Sequence, residues 1–550
     1  MIGLERSHPA ERVEEGGGSL ADSMADSMAD GFETEAKELQ LVLRVAFSSL
    51  GPGGSLQGVQ ANASTGVGVL SSASRRLFES LRLRTWHARA LVRLAVQPQA
   101  EAFGDGGLVA AALASALVQA VRSGSESALD RFRMVRCLEG ALDSLRRRMN
   151  RGLAVDLGGV GPVRPVRDLD WSDMGSLVAL VRAVVAPKAK IGATDQEVDH
   201  ICRTLVRAFV LAVPHSTLRR PEVSLVTVVG PPAMESYSTS SVVADIPVCR
   251  EAERMLPLSG PSVVVFNTSL DVDLGRNDGC AGPSQEFGVT VEARSGLRGS
   301  GEAAMGFELR LLSRMVAALA SENVAAVACQ KTIHPFVKQE LALRGIVPIE
   351  RVSLRHIDAV ASCCGVDPVS VISEGALRSI RSHVGKLEGI HLRRLCRKTV
   401  VSFEPLADAK TQTVVLTAPN EIAMGELAHS CRSAVAVLTS ALQSPYVTPG
   451  AGFFEMVLSS TVRSQLPSPT DRGRRLERSV LESLAGTLET IAGKLGGGDS
   501  GDREASLRRS WEFATRRGLL DLVMSKLAAV EYAVDAACNL SQVDCTLVCQ

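Results

Sequence analysis

From Glu33 onward the chain alternates between apolar residues at helical spacing and short glycine breaks. Leu39, Leu41, Val42, Val45 and Ala46 predict a helix that ends at Leu50, where Gly51-Pro52-Gly53-Gly54 interrupts it. A second helix carries Leu91, Val92 and Leu94 up to the Gly104-Asp105-Gly106-Gly107 turn, and LVAAALASALVQAV after it predicts a buried helix. A further amphipathic helix is expected from Leu129 to Met149, then a hinge at the glycine-rich stretch Leu157 to Pro162. Helical spacing resumes over Met174 to Val185 and Asp195 to Val213.

From about Val223 the pattern changes. SLVTVVG, SVVVFNTSL, NVAAVACQ and GIVPIERVS are short β-branched runs that predict strands, with a helix around Phe336 to Leu343 between the last two. Eight glycines between Gly275 and Gly306 oppose a continuous helix there, so that stretch is expected to be a mobile loop or protrusion. A mixed pattern follows from Leu377 to Gly425. Helices are then expected near Glu426 to Leu442, Phe454 to Gln465 and Leu476 to Ala492, and after the break LGGGDSGD a last long helix runs through SKLAAVEYAVDAACNL.

The order helical, mixed, α/β, mixed, helical is that of a central domain inserted into an intermediate one, itself inserted into an outer one. It divides the chain into a tail at 1–32, an outer domain at 33–152 and 438–550, an intermediate one at 153–213 and 371–437, and a central one at 214–370. The tail, with its near repeat ADSMADSMAD, is too small and acidic to bury much apolar area and is expected to be disordered.

Composition narrows the function without naming it. The 550 residues suffice for about three compact units of ordinary size. Sixty basic and sixty acidic side chains cancel, which gives no global attraction to nucleic acid or an anionic membrane. Charges and glycines interrupt the first residues where a signal peptide needs an apolar core, and the run from Gly106 to Val121 is short for a membrane span and closed by Arg122. Twelve cysteines from Cys137 to Cys549 without paired CxxC spacing fit a reducing cytoplasmic compartment.

Glycine turns that enter helices present backbone N–H groups to phosphate, and Asp105 adds a carboxylate able to hold Mg²⁺ against phosphate oxygens. Each turn alone is also read as a plain helix-entry turn. Their order is more specific. LGPGG at Leu50 to Gly54, GDGG at Gly104 to Gly107, Thr448-Pro449-Gly450-Ala451-Gly452 followed by Glu455, CQKTIH at Cys329 to His334 and the segment from Lys526 to Asp544 resemble, in sequence, the signature segments of the group II chaperonins. The resemblance covers nearly all of the chain after about residue 33.

That resemblance implies an α+β multidomain fold with a helical equatorial domain, a mixed intermediate domain and an α/β apical domain. It also implies a nucleotide site at Gly51, Pro52, Gly104, Asp105, Gly106, Gly107, Gly450 and Gly452, with Asp105 as metal ligand and ATP with Mg²⁺ as cofactor. Within the family, ACQKTIHPFVKQELALRGIVPIERV and LVRAFVLAVP are similar to the chaperonin-like branch associated with McKusick-Kaufman and Bardet-Biedl syndromes. This similarity implies a role in protein complex assembly, with BBSome subunits as clients and other Bardet-Biedl chaperonin-like proteins and the cytosolic ring chaperonin as partners. It implies a place at the centrosome or ciliary basal body.

The chain departs from the family's catalytic pattern. Thr65 stands where the TNDG loop has aspartate, Gly107 and Leu108 replace threonines that touch phosphate, Gly53 replaces a basic residue, and Ser433 replaces the aspartate associated with water activation. A hydroxyl does not take a proton at neutral pH as a carboxylate does. No catalytic residue is therefore assigned, hydrolysis is not expected, and nucleotide binding is expected to be weak or absent. The alternatives are an active ATP-driven folding chaperonin and a centrosomal scaffold without clients.

Two other clusters are read as structural. Asp195, Glu197, Asp199, His200 and Cys202 do not place a consistent metal-ligating trio on one helical face, which suits a solvated charged face. Cys329 near His334 has the residue types of a thiol nucleophile and base, but Cys329 ends an apolar strand, where cysteine packs as a small hydrophobe.

Overall fold

The computed structural model describes residues 34–60, 68–150, 155–156, 162–187, 193–213, 221–271, 300–396, 398–406, 411–471, 474–496 and 503–543. The expected tail, the hinge at 157–161, Thr65 and most of the glycine-rich stretch after Gly275 lie outside them. The chain divides into two compact units, residues 1–169 with 444–550, and residues 170–443.

The first unit is helical, and segments from both chain ends build its core. On the helix over residues 34–49, Leu39, Val42 and Ala46 face inward while Leu41 stays exposed, so the inner stripe is narrower than the sequence suggests. Helix Gly107–Gly124 contributes Leu113, Leu117 and Val121, helix Arg475–Gly496 contributes Leu484 and Leu488, and helix Val523–Ser541 contributes Val530, Ala533 and Ala537 to the same cluster. Among the described residues, Gly107–Gly124 is the one helix long and apolar enough to cross a membrane, running past Arg122 to Gly124. Some 67% of it is buried in the protein, where its alanines admit close helix packing.

Residues 86–103 form a continuous helix with a π-helical segment at Val92–Val96. After the glycine break the chain forms two helices rather than one. Arg503–Arg517 is closed by Gly518 at φ 59°, and the short strand Leu520–Leu522 leads into Val523–Ser541. Strand Tyr446–Pro449 pairs with that strand and with Arg167–Asp168.

The second unit contains two sheets. In the larger, Val347–Ile349, Ala326–Cys329 and Ser262–Phe266 run parallel, and Val384–Leu395, Lys398–Pro405 and Val242–Ala244 continue it antiparallel. In the smaller, Val223–Val229 pairs in parallel with Gln412–Ala418 over its whole length, with Tyr237–Thr239 on the other side. The chain thus leaves one strand and returns beside it after building the larger sheet. Boundaries at 213/214 and 370/371 cut across these pairings: Val223–Val229 belongs with Gln412–Ala418, and Val384–Pro405 with the larger sheet. β-branched runs alone do not show which sheet a strand joins.

Helix Ser300–Ser321 begins inside the glycine-rich stretch and includes Gly301 and Gly306. Glycine costs roughly 1 kcal/mol in a helix interior, which Met315, Val316 and Leu319 offset by packing on the larger sheet.

Candidate functional site

The turn around Asp105 is made by two left-handed glycines, Gly104 at φ 70° and Gly106 at φ 85°, which end one helix and start the next. Gln99 lies beneath it, fully buried. Its Nε2 donates to the Asp105 carbonyl at 2.8 Å and to the Ser525 carbonyl at 3.0 Å, tying the turn to the start of the last helix. One residue further, Lys526 Nζ donates to Glu455 Oε1 at 2.7 Å and pairs with Asp521 Oδ2 at 3.0 Å.

Glu455 follows the Gly450–Gly452 turn on helix Phe453–Arg463 and is 2% exposed. Gly104, Asp105, Gly106, Gly107, Gly450 and Gly452 are thereby connected through Gln99, Ser525, Lys526 and Glu455. Gly452 adopts φ 82°, and a Cβ there would lie 2.6 Å from the Ala492 carbonyl oxygen. Gly51, at φ 75°, meets the Lys494 carbonyl on the same helix end, two residues on. The turns at Gly51 and Gly452 thus converge on the end of Arg475–Gly496.

Charge dominates this region. Burial pushes the Asp521 carboxyl above the ordinary range, Lys526 opposes this, and the nearby Glu455 and Asp105 carboxylates add to the rise. Burial alone would lower Lys526, but Asp521 and Glu455 outweigh it and raise its pKa. The lysine is therefore a fixed internal cation rather than a free phosphate ligand. Glu455 Oε2, Gln99 Oε1 and Thr448 Oγ1 are buried without a hydrogen-bond partner.

A magnesium nucleotide fits these residues in part. The first N–H groups of Gly107–Gly124 follow an N-cap, Gly106, that supplies no side-chain bond, and Asp105 stands beside them. Gly107 has no hydroxyl of its own, and the Ser74 Oγ lies 2.4 Å from where a Cβ at Gly107 would stand. Gly53 has no atom within 4 Å of an added Cβ, so space does not exclude a side chain there.

In the second unit, Ser433 is buried on helix Glu421–Gln443. Helix Pro335–Leu343 leaves Phe336 43% and Leu343 86% exposed, and Leu354, which opens the next helix, is 72% exposed.

Neither of the remaining clusters assembles chemistry. Cys329 is fully buried, desolvation pushes its thiol up to about 12, and its Sγ donates to the Thr268 carbonyl at 3.2 Å. His334 caps helix Pro335–Leu343, with Nδ1 accepting from Phe336 N at 3.2 Å. The segment from Asp195 is more than a solvated face. Glu197 forms a capping box with Thr194, Asp199 pairs with Arg182, His200 bonds the Ser236 carbonyl and Cys202 is buried. Among the described residues no group of three or more His, Cys, Asp or Glu is placed to hold a metal ion.

A helical unit shared by both chain ends, glycine turns at its helix starts and a second unit built on an inserted mixed sheet define a chaperonin-type chain. The TCP-1/cpn60 chaperonin family model matches residues 42–550, and the chain belongs to that family. Molecular chaperone MKKS of Mus musculus is 27% identical over 349 residues, 60% of this chain and 57% of the mouse protein. The Homo sapiens protein of that name is 24% identical over 471 residues, 83% of this chain and 76% of its own. Thermosome subunit alpha of Archaeoglobus fulgidus is 28% identical over 257 residues, 43% of this chain and 46% of the archaeal one. The chain thus spans less than two thirds of the mouse relative.

Proposed function

We propose that this chaperonin-family chain is an assembly factor that holds partner proteins without hydrolysing ATP. The observation that carries this reading is the exposed pair Phe336 and Leu343, seven residues apart on one face of a helix, with Leu354 exposed at the start of the next. Large apolar side chains held in solvent suit a surface that receives protein segments.

The absence of hydrolysis rests on Thr65, Gly107 and Ser433, which stand where the family's sequence pattern has the carboxylates and the hydroxyl that phosphoryl transfer uses for positioning. ATP with Mg²⁺ then binds weakly or not at all at Gly51, Pro52, Asp105 and the neighbouring glycines. The Mus musculus and Homo sapiens relatives carry the name molecular chaperone. In this proposal the clients are BBSome subunits, the partners are other Bardet-Biedl chaperonin-like proteins and the cytosolic ring chaperonin, and the site of action is the cytoplasm around the centrosome and ciliary basal body. Retention of Asp105 favours one competing reading, an active ATP-driven chaperonin.

Light scattering of a thermally unfolded model client, without nucleotide, tests the holding role. The full chain suppresses aggregation, and Phe336→Ser with Leu343→Ser loses most of that suppression. Equal suppression by the double variant overturns the assignment.

A further inference from the structure

Residues 75–93 concentrate positive charge in a chain whose total is zero: Arg75, Arg76, Arg82, Arg84, Arg89 and Arg93 face a single acidic residue, Glu79. Glu79 is held by Arg75 at 2.9 Å. Glu38, which approaches from the helix over 34–49, gives its oxygens to the Arg84 N–H, the Thr85 N–H and the Thr85 hydroxyl at 2.7–2.8 Å. Among the described residues no carboxylate pairs with Arg82, Arg89 or Arg93, and all three are exposed.

An aromatic side chain lies within this charge. Trp86 is 41% exposed, and Arg89 and Arg93 follow it at three and seven residues on the same side of the helix. The π-helical segment Val92–Val96 starts one residue before Arg93 and ends this face with Leu94, also exposed. Such segments inside α-helices often mark functional sites.

The indole is backed by a fixed neighbour. It meets the His87 ring edge-on, with centroids 5.1 Å apart at 87°. His87 is buried between Glu35, 3.1 Å from Nδ1, and the Arg122 guanidinium, 3.0 Å from Nε2. Because a guanidinium only donates, Nε2 accepts and Nδ1–H points to Glu35, which fixes the ring. A rigid, exposed indole among guanidinium groups that no carboxylate neutralises, although Arg89 Nε donates to the Thr85 carbonyl at 3.4 Å, has the composition of an interface anchor.

We propose that the exposed face of residues 82–94 is a docking surface for an acidic protein segment carrying an apolar side chain among its carboxylates. Trp86 receives the apolar side chain, and Arg82, Arg89 and Arg93 receive the carboxylates. A protein segment is favoured over nucleic acid because three or so phosphate contacts, without support from the net charge of the chain, give only weak binding at physiological salt.

The probe is a fluorescein-labelled synthetic peptide of glutamate and leucine, titrated into the full chain by anisotropy, with its lysine-for-glutamate counterpart as control. Parallel titrations use phosphatidylserine vesicles and single-stranded oligothymidylate. The glutamate peptide binds, its affinity falls as salt rises, and Arg89→Glu with Arg93→Glu weakens it about tenfold at an unchanged unfolding midpoint. Trp86→Ala weakens it too, which a purely electrostatic surface would not show. Arg89→Gln with Arg93→Gln serves if the charge reversal impairs folding, and weakens binding by a smaller factor. The proposal is overturned if the arginine variants bind like the unaltered chain, if the lysine peptide binds equally well, or if vesicles or oligonucleotide bind and the glutamate peptide does not.

Discussion

Lys526 Nζ lies 2.7 Å from Glu455 Oε1, joining the first turn of the last helix to the helix that follows the Gly450–Gly452 turn. Asp521 completes the arrangement at 3.0 Å. The lysine is the shared counter-charge of two carboxylates that would otherwise stand side by side with none. Breaking such a pair costs more than forming it contributes, because the surviving charges remain buried.

Lys526→Met is therefore expected to destabilise the first unit by about 3–5 kcal/mol in urea unfolding. Lys526→Met combined with Glu455→Met recovers part of that loss by removing one stranded carboxylate. A Lys526→Met chain unfolding at the same urea concentration as the unaltered protein would contradict the pairing.

Acid is expected to loosen the contact between the first described helix and Arg122. Burial alone would raise the Glu35 carboxyl, but hydrogen bonds from His87 and Arg122 outweigh it and hold the group below its ordinary value of 4.5. A depressed carboxylate stabilises the fold above its unfolded value, and that contribution is lost as pH falls through the folded one. Glu35→Gln should thus be less stable than the unaltered chain at neutral pH, with the gap closing as pH falls below about 4.5. Urea midpoints of the two proteins across that range give the answer, and a gap that does not depend on pH would contradict the charged contact.

Thiol reactivity should separate the described cysteines by burial. Cys396 is exposed at the tip of the hairpin between Val384–Leu395 and Lys398–Pro405, while desolvation pushes the buried Cys329 thiol up to about 12. Alkylation needs the thiolate and access to it. Brief iodoacetamide treatment followed by peptide mass mapping is expected to label Cys396, and to label Cys329 only after denaturation. Equal labelling of the two in the native protein would show that Cys329 is not packed as described.

Elements with strong periodicity were legible in the sequence. Met174–Val185 follows its apolar spacing closely, and the β-branched runs at Ser262–Phe266 and Ala326–Cys329 became neighbouring parallel strands. Helix Arg503–Arg517 was not separated from the next, because its buried face is only Leu507, Ser510 and Ala514 within a run of arginines. The candidate site was legible as glycine turns, since Gly51 and Gly452 occupy backbone conformations that other residues rarely adopt. What holds the second of those turns to the one at Asp105 was not. Gln99 and Lys526 act through contacts with residues hundreds of positions away or on other helices, and such contacts leave no periodic sign in the sequence. The only local sign was Asp521 and Lys526 lying within the apolar stretch LLDLVMSKLAAV.

The central claim, a chaperonin-family chain that holds proteins without ATP turnover, is tested most directly by phosphate release from the purified, partner-free protein with ATP and Mg²⁺. The expected rate equals that of the Asp105→Ala variant, and Ser433→Asp alone does not raise it, because Thr65 and Gly107 leave metal positioning and phosphate contacts unrepaired. Turnover in the unaltered chain that disappears in Asp105→Ala would show a working catalytic pocket and contradict the account.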